Sequence, residues 1–220
     1  VRDDVQRKWR KVRNAGGGRR KTIHGVGSRV TNETVLQGLP AQVNARCRVL
    51  VLGSMPGMAS LQAARYYAHP RNRFWPLMGA LCGFDPQLDP AQRLARLQQA
   101  GVGLWDVIGR CRRRGSLDAA IVRGSEVANA VPALVRELPR LQAIACNGAA
   151  VAQAFERRVA PALPAGHGLT VLALPSTSPA NAAWSFARLL DEWRRLAPWL
   201  PVAEQSISPA PGCRDRPGQR

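Results

Sequence analysis

The sequence predicts an α/β fold, a three-layer α/β/α sandwich with a short, mostly parallel central sheet. Three observations carry that expectation. Four short apolar runs, at 48–53, 102–105, 141–147 and 169–174, each end in turn residues. Stretches with helical spacing lie around and between them, at 74–82, 90–99, 131–138, 148–158 and 181–195. Strands that alternate with helices call for parallel pairing and for helices on both sheet faces.

The elements have local reasons. Arg48-Val49-Leu50-Val51-Leu52 runs into Gly53-Ser54-Met55-Pro56-Gly57, a Gly/Pro loop whose backbone N–H groups can approach a ligand. Pro90 suits the first turn of the 90–99 helix, with Leu94 and Leu97 on one face. The 181–195 helix is expected to turn Trp184, Leu189 and Trp193 inward and to place Arg194 and Arg195 in its last turn, the favourable end for cations. Ligands in such folds bind beyond the carboxyl ends of the strands. The segments Gly53–Gly57, Trp105-Asp106, Asn147-Gly148 and Pro175–Pro179 all follow strands, so they should converge on one sheet edge.

At 220 residues, one domain is expected, over 38–200. Residues 1–37 read as a basic arm, with Gly16-Gly17-Gly18, scattered charge and no apolar period; 201–220 read as a Pro/Ser/Gly-rich tail. No apolar run approaches the roughly 20 residues of a membrane span, and no apolar stretch follows Arg19-Arg20. A cytoplasmic monomer is the expectation.

The net charge is +18, and residues 47–200 alone hold 18 Lys/Arg against 9 acids. A phosphate backbone is the natural partner of such a field. All three lysines (Lys8, Lys11, Lys21) precede the core, which excludes core chemistry through a lysine amine. Cys47, Cys82, Cys111, Cys146 and Cys213 are odd in number and widely spaced, so buried reduced thiols are expected rather than a disulfide framework or an iron–sulfur cluster. No His/Asp/Glu cluster has metal-ligand spacing and no Walker-type phosphate loop is present, so neither metal nor cofactor is expected.

Tyr66-Tyr67-Ala68-His69-Pro70-Arg71-Asn72-Arg73-Phe74-Trp75 concentrates groups that stack on a base and hold phosphate. With Gly53–Gly57 and Leu174-Pro175-Ser176-Thr177-Ser178-Pro179-Ala180-Asn181, it resembles the uracil-DNA glycosylase superfamily over roughly residues 38–197. The last loop is similar to that of the hypoxanthine-DNA glycosylase (DNA-deoxyinosine glycosylase) branch, and the 68–75 stretch to that of the mismatch-specific uracil/thymine branch. The resemblance implies a glycosylase-like three-layer fold and a monofunctional enzyme that hydrolyses the N-glycosidic bond of a deaminated base, hypoxanthine first, in double- or single-stranded DNA.

The first loop departs from most of that superfamily. Its third position, an Asp or Asn that orients water in other branches, is Met55, and a thioether is no base. The hypoxanthine branch shares this feature, and there the resemblance gives the catalytic role to Asn72. On its own residues, Asn72 serves equally as a cap of the following helix. The resemblance makes Tyr67 the ring that stacks on the base, with Tyr66 the neighbouring choice. Gly53, Ser54, Met55, Pro56, His69 and Asn147 are expected to line the base pocket. Ser176, Thr177 and Ser178, read as standing at the positive end of the last helix, are expected on DNA phosphate, together with Arg71 and Arg73. Pro179 and Ala180 occupy the place of the superfamily's wedge and are small for it. Asp106 and Asp118 read as bases or as salt-bridge partners of Arg110, Arg112 or Arg113, and the Arg110–Arg114 run as a phosphate-facing loop. Two other readings remain: a uracil or mismatch glycosylase, or a non-catalytic nucleic-acid-binding protein of the same fold.

Overall fold

The computed structural model describes residues 35–164 and 166–201. The basic arm up to residue 34, the tail from 202 and Cys213 lie outside the described residues. Three residues assigned above to the arm form a strand, β1 (Val35–Gln37). All four expected central strands are present: β2 (Val49–Gly53), β3 (Val102–Asp106), β6 (Ala143–Asn147) and β7 (Thr170–Leu174). They pair in parallel throughout, in the order β3-β2-β6-β7.

The period of two in β2 builds both cores. Val49 and Val51 face one layer, with Phe74, Leu77, Met78, Leu97, Leu189 and Trp193. Leu50 and Leu52 face the other, with Val131, Leu134, Val151 and Phe155. The first layer is made by α2 (Phe74–Cys82), α3 (Pro90–Gln99) and α6 (Phe186–Trp193), and the second by α4 (Val131–Arg136) and α5 (Ala149–Arg158). A short α1 (Met58–Gln62) follows the first loop. Helix α3 starts as its sequence implies: the Asp89 carboxylate accepts from the N–H groups of Ala91 and Gln92, ahead of Pro90 in the first turn.

A second sheet was not expected. It is antiparallel, in the order β1-β4-β5, with β4 at Ile108–Arg112 and β5 at Val127–Ala128. The arginine run is therefore mostly strand and not a loop. Arg110 and Arg112 point out, while Cys111 and Arg113 are buried. That alternation is the period of a half-buried strand, masked by the charge of four of its five residues.

The last helix starts later than expected, at Phe186, capped by the Ser185 hydroxyl accepting from the Arg188 N–H at 3.3 Å. The carbonyls of Ser178, Asn181 and Trp184 turn toward the Arg73 guanidinium, and the first two close only i+3 turns, with Asn181 N–H and Trp184 N–H, so the segment forms turns and not a continuous helix. Ser176, Thr177 and Ser178 thus lie well before the helix and not at its positive end. Leu189 and Trp193 are buried as expected, whereas Trp184 is half-buried under the Arg188 guanidinium, 4.3 Å from its ring. Arg194 and Arg195 stand just beyond α6, paired with Asp191 and Glu192.

Cys47, Cys82, Cys111 and Cys146 are all free. Burial pushes the thiols of Cys47, Cys82 and Cys146 up to about 12, so they are inert at neutral pH. Among the described residues no helix is long and apolar enough to cross a membrane.

Candidate active site

The segments after β2, β3, β6 and β7 meet at the carboxyl edge of the central sheet, as the alternation of strands and helices requires. With the 66–72 segment they line a cleft of about 910 Å³. Of the residues singled out for function, Gly53, Ser54, Met55, Pro56, Tyr67, His69, Asn72, Asn147 and Ser176–Ala180 all border this cleft; Arg71 and Arg73 do not.

One side-chain amide ties three of these segments together. Asn147, at the end of β6, accepts from the Thr177 N–H at 2.9 Å and donates to the Thr177 hydroxyl at 3.0 Å. Its second N–H reaches the Tyr67 hydroxyl at 3.2 Å. Both amide hydrogens are thus spent inside the protein. Thr177 is fully buried, and its carbonyl accepts from the Arg73 N–H at 3.1 Å. Asn147 positions the cleft walls, and its donors do not point to a base.

Tyr67 sits at φ +53°, a left-handed conformation unusual for a bulky residue. The twist lays its ring on Phe74, with centroids 3.8 Å apart and 19° between planes. Burial holds its hydroxyl un-ionised, well above the usual phenol range. Tyr66 is buried and packs in the core, Tyr67 is half-buried, and both border the cleft. The Asn72 carbonyl oxygen accepts from the Phe74 N–H at 3.0 Å. The N-cap of the helix is Arg73, so Asn72 is not the cap but bonds the helix's first N–H from the residue before it, and the bond leaves the NH₂ as the end free to donate. His69 Nδ1 accepts from the Arg71 N–H at 3.1 Å, so a neutral imidazole carries its proton on Nε2. Arg71 is exposed. Arg73 is not a free phosphate contact: its guanidinium binds the carbonyls of Trp184, Ser178 and Asn181, and it holds the last loop in place.

Two charged groups sit beneath the first loop. Asp106, at the end of β3, is buried, and its Oδ2 has no hydrogen-bond partner. Its carboxyl is pushed up to about 7, chiefly by burial; the Tyr66 hydroxyl lowers it, Asp118 raises it and Arg113 lowers it. The carboxylate approaches the loop so closely that a Cβ on Gly53 would stand 2.4 Å from Oδ1, so any side chain there would displace it. Arg113 is the second charge. It is buried, donates to the carbonyls of Met55 and Pro56, and lies 3.9 Å from the Asp118 carboxylate. The Met55 side chain packs with Leu36, Ile108 and Cys111, so the first loop is anchored to the antiparallel sheet by an apolar peg and a guanidinium.

The sequence profile of the Uracil DNA glycosylase superfamily matches residues 40–199. The chain belongs to the uracil DNA glycosylase superfamily. A protein from Methanosarcina acetivorans named hypoxanthine DNA glycosylase is 34% identical over 160 residues, which are 72% of this chain and 96% of that one. A namesake from Methanosarcina barkeri is 36% identical over 113 residues, 51% of this chain and 70% of its own. The solution NMR structure of a proposed uracil DNA glycosylase from Methanosarcina acetivorans superposes with a TM-score of 0.61 at 29% identity, covering 74% of this chain and 99% of that one.

In this superfamily member, the sequence undervalued Asp106 and Arg113. Asp106 ends a fully buried strand, an unusual place for a lone acid, and that was the available signal. Nothing local marks Arg113 off from its three arginine neighbours.

Two outcomes are expected. Arg113→Met leaves two buried loop carbonyls without donors and should cost about 3 kcal/mol in urea unfolding; Arg113→Lys should recover only part, since an ammonium lacks the fork. Asp106 binds its proton more tightly folded than unfolded, so folding stability falls as pH rises from about 4 through about 7. Asp106→Asn should raise the melting temperature at pH 8, and the gain should fade toward pH 5.

Proposed function

We propose that the protein is a monofunctional DNA glycosylase of base excision repair that hydrolyses the N-glycosidic bond of a deaminated base, with hypoxanthine the preferred one. The match to a hypoxanthine DNA glycosylase along 96% of that protein's length carries the reading. The cleft supports it. An extruded nucleotide would enter between the first and last loops, and its base would stack near Tyr67, backed by Phe74. The C1′–N bond breaks with its electron pair going to the base. The Asn72 NH₂ donates to the base as negative charge develops, and water adds at C1′, its proton passing to the departed base anion so that free base and an abasic sugar result.

Asp106 fits the reading of the base. Hypoxanthine, uracil and xanthine all carry a ring N–H beside a carbonyl, where adenine and cytosine carry a bare lone pair. Asp106 lines the cleft, and an ionised carboxylate there would accept from the first pattern and repel the second; guanine and thymine share the first, so the discrimination is against adenine and cytosine. A lyase step through an amine is not part of the proposal, because the described residues contain no lysine.

Incubation with a deoxyinosine duplex followed by alkali should cut the strand at the lesion; deoxyuridine and deoxyxanthosine duplexes rank the bases. No product from any of them would leave a non-catalytic DNA-binding protein, recognised by binding with a steep salt slope. Asn72→Ala should lower single-turnover excision by about 10² or more with little change in DNA affinity. Because the carboxylate is the reading form, the excision rate should rise with pH through about 7, and Asp106→Asn should flatten that rise.

A further inference from the structure

Leu117 is 60% exposed, the most exposed large apolar side chain among the described residues, and it stands on the rim of the cleft. A single exposed leucine needs no explanation in general; three features of this one do. Its loop is held rigidly. The backbone closes through Val122 N–H to the Arg112 carbonyl at 2.8 Å and an Arg113–Ile121 bridge. The Ser116 hydroxyl accepts from the Met58 N–H at 3.0 Å, and buried Arg113 fastens the base of the loop to the carbonyls of Met55 and Pro56. Leu117 is therefore presented at a set distance from the first loop, with little chain entropy left to lose on contact.

The second feature is the last loop. Pro179 and Ala180 border the same cleft and offer little apolar reach. The third is charge. Arg110 and Arg114, either side of this loop's start, are both exposed. An apolar tip that follows closely on exposed cations suits a side chain that enters a base stack while the neighbouring backbone meets phosphate.

We propose that Leu117 is the wedge that fills the stack vacated by the extruded nucleotide, so that the loop after β4, and not the one after β7, holds the duplex open. The proposal rests on the excision reading above. Unstacking costs are met only in a duplex, so the two strand forms separate a wedge from a general role.

The test compares wild type, Leu117→Ala and Leu117→Met on one deoxyinosine strand, alone and in duplex, under single-turnover conditions. The duplexes also carry 2-aminopurine beside the lesion to report unstacking. Leu117→Ala should lose about tenfold or more on the duplex, with a smaller fluorescence rise on binding, and little on the single strand; Leu117→Met should stay near wild type. Wild-type behaviour of Leu117→Ala on the duplex in both readouts, or equal losses on both strand forms, overturns the wedge and leaves excision standing. No abasic product from wild type on either form overturns the excision reading, and the wedge with it.

Discussion

The cleft depends on a buried amide. Asn147 closes a hydrogen-bonded ring with Thr177 and extends it to Tyr67, so the end of β6, the loop after β7 and the aromatic segment move as one body. A polar group buried at a sheet edge is costly unless every partner is supplied, and here both N–H groups and the oxygen are supplied from within. Arg73 extends the same logic outward: its backbone N–H takes the Thr177 carbonyl, and its side chain gathers three carbonyls of the last loop. That loop is long and without regular structure, yet it is fully tied down.

The first loop is organised by opposing charges. Arg113 beneath it gives its two terminal nitrogens to carbonyls and faces Asp118, leaving its Nε without a partner, while Asp106 beside it keeps one oxygen unpaired. Natural interiors rarely leave a carboxylate in that state, and such orphans gather where a ligand completes the bonding. Gly53 is the corresponding steric concession, since any side chain there would displace the carboxylate. Met55, which on sequence grounds looks like the loss of a water-orienting group, has a packing role: it pins the loop to the second sheet.

The basic character divides by use. Some arginines are structural, as with Arg73 and Arg113, and Arg93 lies over the Trp75 ring at 4.9 Å. Others, including Arg71, Arg110 and Arg114, are exposed and free to shape a field for a polyanion. Counting arginines therefore overstates the phosphate-binding surface, because the same planar fork that binds phosphate also binds carbonyls in bundles.

The sequence by itself determined the layer architecture, the four parallel strands, the convergence of their loops and the family, because periodicity and loop chemistry are local and survive without contacts. It also brought Tyr67, Asn72 and the first and last loops to one place, through strand ends that the topology must align. Only the tertiary structure decided what each polar group does. Asn147 and Arg73 read as ligand contacts until their donors are seen to be taken by backbone and side chains up to 111 residues away. The antiparallel sheet was invisible because β1 and β5 have three and two residues and gain their stability from β4 rather than from their own pattern. Asp106 gained its importance from burial beside Gly53 and the absence of a partner, both properties of three dimensions: a carboxyl's ionisation is set by what surrounds it, and neighbours in the chain supply little of that surrounding.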